Sequence, residues 1–191
     1  MKVSREQAAH NRERILDAAA TLFRERGFEG IGVADLMKAV GLTHGGFYGH
    51  FSSKEDLMAQ ACARALTSSL ELWSKRADTA SHNPLLSIAS GYLSGKHRDN
   101  PGAGCVLAAL GSEASRQGPG VRRAVTEGLR SAIEFFAKLV GGNSKAARRQ
   151  RAISAYASLV GAMVMARTVD DRALSQEILN AVLASVSESN S

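Results

Sequence analysis

A chain of 191 residues, 45% hydrophobic and 5% aromatic, can bury a sizeable core as one large domain or two small ones. Its net charge of +6 invites a nucleic-acid reading. Yet up to Gln60 the basic residues Lys2, Arg5, Arg12, Arg14, Arg24, Arg26, Lys38 and Lys54 are matched one for one by Glu6, Glu13, Asp17, Glu25, Glu29, Asp35, Glu55 and Asp56, so bulk charge does not pick out a DNA-binding half.

No run approaches the roughly 18 apolar residues of a membrane helix, and no signal-peptide segment opens the chain. The two cysteines, Cys62 and Cys105, make no disulfide framework. The expectation is a cytoplasmic protein with no membrane partner. Three prolines and abundant Ala and Leu favour an all-α chain.

Ser4 to Gln7 reads as a capping box opening the first helix, with Ile15, Ala19, Leu22 and Phe23 as its apolar stripe and Gly27 as its end. Lys2, Arg5, Arg12 and Arg14 crowd this end of the chain. A second, short helix follows from the spacing of Val33, Leu36, Met37 and Val40. Gly41 then stands where a helix end favours positive φ. Thr43 is placed to cap a third short helix carrying Phe47 and Phe51 four apart on one face. Helix, tight turn, helix is the helix-turn-helix pattern, and the Phe spacing leaves His44, Gly45, Tyr48 and Gly49 on the outward face. Tyr48 and His50 carry donors of the kind used on phosphate oxygens. Ser52 and Ser53, with Glu55 and Asp56 three residues on, form capping boxes for a long helix over 53–77.

The run G-L-T-x-G-x-x-Y-x-H-F-x-S-K-E-x-L from Gly41 to Leu57, with I-L-x-A-A-x-x-L-F-x-x-x-G-F from Ile15 to Phe28, resembles the DNA-binding domain of the TetR family of bacterial transcriptional regulators. The resemblance covers roughly the first third of the chain. It implies an all-α protein of about nine helices: a three-helix helix-turn-helix DNA-binding domain over 1–53, and an effector-binding and dimerisation domain over 54–191. It implies a homodimer on a palindromic double-stranded DNA operator, most often a repressor, released by a small-molecule or electrophile effector. DNA contacts are expected from Thr43, His44, Gly45, Tyr48, His50 and Lys54, with Arg5 or Arg12 as further phosphate contacts.

Two departures from the family pattern stand out. Ile31-Gly32 replaces the usual hydroxyl pair, so Gly32 is a weaker cap and one phosphate contact is lost. Gly45, Gly46 and Gly49 each cost a helix about 0.5–1 kcal/mol relative to Ala, which leaves Phe47 and Phe51 to hold it by packing.

Beyond the long helix, Ser81-His82-Asn83-Pro84 is a break, and Leu85, Leu86, Ile88, Ala89, Tyr92 and Leu93 mark a fifth helix. Lys96 to Gly104, polar and rich in Gly and Pro, reads as a loop in which His97 is a lone solvated side chain, as is His82 in the preceding break. A sixth helix begins near Cys105, and a seventh follows Gln117-Gly118-Pro119-Gly120 and carries Val121, Val125, Leu129, Ile133, Phe136 and Val140. Two more span Lys145 to Thr168 and Arg172 to Val186, with a frayed tail over 187–191.

Trp73, Cys105 and Phe136 are the candidate effector contacts. At the opening of the sixth helix, with Lys96 or Arg98 nearby, Cys105 is expected to be the more reactive thiol and mid-helix Cys62 the less reactive one. The segment from Gly104 to Glu113 is similar to one in TetR-type regulators that sense oxidants or electrophiles, and to many that do not. Ala157, Ser158, Gly161, Ala162 and Ala166 fall on adjacent i, i+4 rows, and in the family the last two helices pair across the two-fold axis.

No catalytic nucleophile–base pair, metal cluster or cofactor loop is legible, so no enzyme activity, metal or cofactor is expected. The rival readings are an all-α enzyme or small-molecule-binding protein that retains an unused helix-turn-helix, and an architectural DNA-binding protein without an effector.

Overall fold

The computed structural model describes residues 4–188. Lys2 and the last three residues of the expected frayed tail lie outside them. Among the described residues there are nine α-helices, two 3-10 helices and no strand.

The N-terminal unit is α1 (Arg5–Arg26), α2 (Val33–Ala39), a 3-10 helix (His44–Gly49) and the first half of α3 (Lys54–Thr79). Caps set the boundaries. Ser4 Oγ accepts the Gln7 amide at 3.1 Å, and Ser53 Oγ accepts the Asp56 amide at 3.0 Å. Asp56 in turn accepts the Ser52 amide at 3.0 Å, and with Ser53 as the N-cap it is the Ser53–Asp56 reading of this start that forms. Gly32 caps α2 with no side-chain bond, as its missing hydroxyl requires.

At the other end of α2, the Leu42 amide donates to Met37 O at 2.9 Å and the Gly41 amide to Lys38 O at 3.0 Å. This is a Schellman termination, and it places Gly41 at φ +70, where a Cβ would be strained.

The remaining elements are α4 (Pro84–Tyr92), α5 (Gly95–Asp99), a second 3-10 helix (Pro101–Ala103), α6 (Val106–Ala114), α7 (Pro119–Ala137), α8 (Lys145–Thr168) and α9 (Arg172–Glu188). Two apolar cores result. The first gathers Ile15, Phe23, Phe28, Met37, Phe47, Phe51 and Leu57, and is closed by Val106, Leu110 and Val121 from much later in the chain. The second holds Trp73, Ile88, Tyr92, Phe136, Tyr156, Leu159 and Leu179. Helix α3 runs through both, changing core between Leu66 and Trp73.

The structure corrects three expectations. The helix after Thr43 is a 3-10 helix: its amides bond three residues back, Gly46 to Thr43 O at 3.0 Å and His50 to Phe47 O at 2.9 Å. Three glycines remove the side chains that favour α geometry, and the packing of Phe47 and Phe51 suffices to hold the segment.

The stretch read as a loop over 96–104 is mostly helical. Ser94 Oγ accepts the His97 amide at 3.2 Å and starts α5, and the second 3-10 helix follows. Of the small residues on α8, Ala162 and Ala166 are buried inside the subunit, whereas Ala157 and Ser158 are exposed and Gly161 is half-exposed. Ser158 shares the row of Ala162 and Ala166, so that row passes from the open face into the core along the helix, while Ala157 and Gly161 stay on the open side. No helix among the described residues is long and apolar enough to cross a membrane.

Candidate nucleic-acid interface and effector cavity

The turn from Leu42 to Phe51 is anchored from below and open above. Phe47 and Phe51 are buried and stack at 5.8 Å, while Tyr48 is 67% exposed, with His44 edge-on to it at 6.3 Å. Thr43, Gly45 and Gly49 are exposed beside them and His50 is half-buried. All six expected DNA contacts thus lie within one short stretch of chain, Thr43 to Lys54. Lys54 is already engaged, its Nζ 3.6 Å from Glu29 Oε2.

Two of the crowded arginines hold the scaffold. The Arg12 guanidinium lies 4.9 Å from the Phe51 ring centre and donates to Gln60, and Arg14 donates to Val40 O at 2.7 Å, closing the carbonyl end of α2.

A second concave region lies between α3, α4 and the segment 94–105, with a volume of about 380 Å³. Trp73, Ile88 and Leu72 form its apolar side; Arg76, Tyr92, Lys96 and Cys105 are among its polar contributors. Trp73 is buried in an aromatic cluster with Tyr92, Phe135, Phe136 and Tyr156 while lining the cavity. Phe136 stands behind the wall, stacked on Tyr156 at 5.2 Å.

Cys105 is 3% exposed, its Sγ 3.6 Å from the Tyr156 hydroxyl. Its electrostatic partners are Arg24 and Arg167. Arg98 is turned away, bonded to Asp99 and Ser175. Cys62 has its thiol pushed up to about 12 by burial, in keeping with an inert core cysteine.

His97 is the clearest miss of the sequence reading. Its Nε2 accepts the Cys105 amide at 2.9 Å, so its proton sits on Nδ1, which donates to Tyr92 O at 2.6 Å. The ring is the clasp of the cavity wall. The same wall is fastened to α1: Arg24 donates to Gly104 O at 2.6 Å, and Glu113 of α6 accepts the Phe28 amide at 2.8 Å. Arg76 was also missed, although it lies three residues after Trp73 on the same face of α3. That spacing was the available signal.

Among the described residues the chain is all-helical, with an N-terminal helix-turn-helix braced by a larger helical body. Residues 15–61 match the family described as bacterial regulatory proteins, tetR family. The chain is 32% identical over 92 residues to the uncharacterized HTH-type transcriptional regulator YfiR of Bacillus subtilis, covering 48% of this chain and 43% of that protein. It is 33% identical over 93 residues to the HTH-type transcriptional repressor AcnR of Corynebacterium efficiens, covering 49% and 46%. The matched stretches therefore span less than half the length of these curated relatives. Over nearly the whole chain the fold is similar to that of E. coli NemR in its reduced form, with a TM-score of 0.78, 24% identity and coverage of 94% of this chain and 96% of that one. At that identity the likeness is one of fold. Residues 15–61 thus carry the DNA-binding segment of the tetR family, and the rest of the chain shares the fold of that neighbour.

Proposed function

We propose that this protein is a ligand-responsive repressor that binds a palindromic operator as a homodimer. The observation that carries it is the division of the turn from Leu42 to Phe51: two aromatic rings buried, Tyr48 and His44 held outward on a rigid base. A loop without a reading task has no need to fix an exposed Tyr in this way. Residues 1–53 serve as the reading unit and 54–191 as the responding one. The sense of regulation follows the relative from Corynebacterium efficiens, which is a transcriptional repressor by name.

Thr43, His44, Tyr48 and His50 supply donors for phosphate and base edges, and Gly45 lets the backbone approach closely. Lys54 reaches phosphate by exchanging Glu29, helped by the amide dipoles at the start of α3. Two such units must meet half-sites about 34–36 Å apart or a multiple of that, so a change in their spacing releases the operator.

The cavity against Trp73 is the effector site. A ligand that binds one arrangement of its wall better shifts the population toward it. Arg24 and Glu113 pass the change to α1, and α3 passes it directly. Because Cys105 is among the lining residues, an electrophile that gains access to its buried sulfur is the second form the effector takes. Release by such a compound from wild type but not from Cys105→Ser identifies that form; equal release of both identifies a reversible ligand.

The function is tested by fluorescence anisotropy with the palindromic duplex upstream of the coding region. Salt-dependent, sequence-selective binding is expected, and its absence rejects the reading in favour of an all-α protein with an unused helix-turn-helix.

A further inference from the structure

The cavity has an unbalanced charge. Arg76 and Lys96 line it and no carboxylate does. Among the described residues neither cationic head makes a hydrogen bond or an ion pair, whereas Arg64 is bound by Glu13 and Asp17, and Arg98 by Asp99. The Arg76 guanidinium lies across Gly91, in the space a side chain there would fill. It therefore lies at the cavity wall, in the room that the missing side chain of Gly91 leaves.

Tyr92, 4% exposed, is among the lining residues, and its hydroxyl is buried beside the Cys105 sulfur. The opposite side is apolar, formed by Leu72, Trp73 and Ile88.

Resting on the reading of this cavity as the effector site, we propose that its ligand is a small organic anion, with a carboxylate on Arg76 and Lys96 and an apolar body against Trp73 and Ile88. Guanidinium and carboxylate match as a planar, two-bond pair, and an apolar wall strengthens the attraction by excluding water. A cationic ligand would find an aromatic face but no counter-charge. Inorganic phosphate would leave the apolar side uncovered. The volume of about 380 Å³ is near the small end for ligand sites, which favours a body of one ring or a short chain.

Trp73 is the single tryptophan, so its emission reports occupancy without DNA. Benzoate, 4-phenylbutyrate and octanoate are titrated, each beside its primary amide, with inorganic phosphate as a further arm. At least one carboxylate should change Trp73 emission and bind about tenfold or more tighter than its amide. Arg76→Gln should fold with the wild-type melting temperature and lose that preference, and Gly91→Ala, which displaces the guanidinium, should weaken it. Equal binding of acid and amide, no response to any carboxylate, or equally effective competition by phosphate overturns the proposal. The operator duplex is then added: a carboxylate that binds at Trp73 without releasing DNA rejects the effector reading and leaves the ligand class standing. Release by uncharged compounds alone does the reverse.

Discussion

At the scale of single residues, two side chains have roles that their local sequence conceals. Lys54, a proposed phosphate contact, is paired with Glu29, a partly exposed pair of little intrinsic worth that phosphate can displace. Lys54→Ala should weaken specific and non-specific duplexes alike and make the salt dependence shallower by about one unit of log K per log salt, read by anisotropy across a salt series. A loss confined to one base position would mean that Lys54 reads sequence.

His97 is held neutral, its pKa lowered first by burial and opposed by its bond to Tyr92 O. As pH falls, the unfolded chain therefore takes up a proton before the folded one. Stability is whole above the ordinary imidazole value of 6.5 and drains as pH drops through the lower folded value. The unfolding midpoint of wild type should fall as pH drops below about 6.5, and His97→Gln should flatten that slope. Carboxylates held low, Asp56 and Glu13 among them, give losses only in a more acidic window. An unchanged slope in the variant would assign the acid sensitivity to another group.

At the scale of elements, the segment His44–Gly49 accepts poor helix chemistry in exchange for an open surface. A Cβ at Gly45 or Gly49 would meet nothing, and neither residue has positive φ. Alanine at each should therefore stabilise the fold by about 0.4–1 kcal/mol through the unfolded chain. On the proposed reading the same methyl groups stand where the backbone approaches DNA, so operator affinity should fall. Urea unfolding and anisotropy on the double variant measure both. Higher stability with unchanged affinity would show that close backbone approach is not the reason for these glycines.

At the scale of the whole molecule, α8 and α9 leave an apolar face outward: Ile153, Val164, Met165 and Leu174 are exposed, with Ala157 and half-exposed Gly161 among them. On the proposal of a homodimer, these exposed apolar side chains and the small residues between them are where a second copy approaches. A Cβ at Gly161 meets nothing within the subunit. Gly161→Leu should therefore fold normally, sediment as a monomer and lose the palindrome while keeping weak binding to a half-site. A dimeric variant with unchanged operator affinity would place the interface elsewhere.

What the chain declared on its own was whatever depends on a few neighbouring residues. Ser4, Ser53, Asn83 and Ser144 each satisfy an amide three positions on, so the helix starts could be read without knowing any partner. The spacing of Phe47 and Phe51 likewise set which side of the turn faces out, because two rings that must be buried determine where the rest points. Tertiary structure alone decided what depends on distant groups. Whether Ala157 or Ala162 lies on the open side of α8 depends on which face α7 and α9 cover. His97 became a clasp only because the chain returns eight residues later with the Cys105 amide, and Arg76 became a wall of the cavity only where Gly91 of α4 makes room for it. Periodicity can mark a face as apolar or small, but only the partner helix determines whether that face is covered by its own chain or left for a ligand, a second copy or DNA.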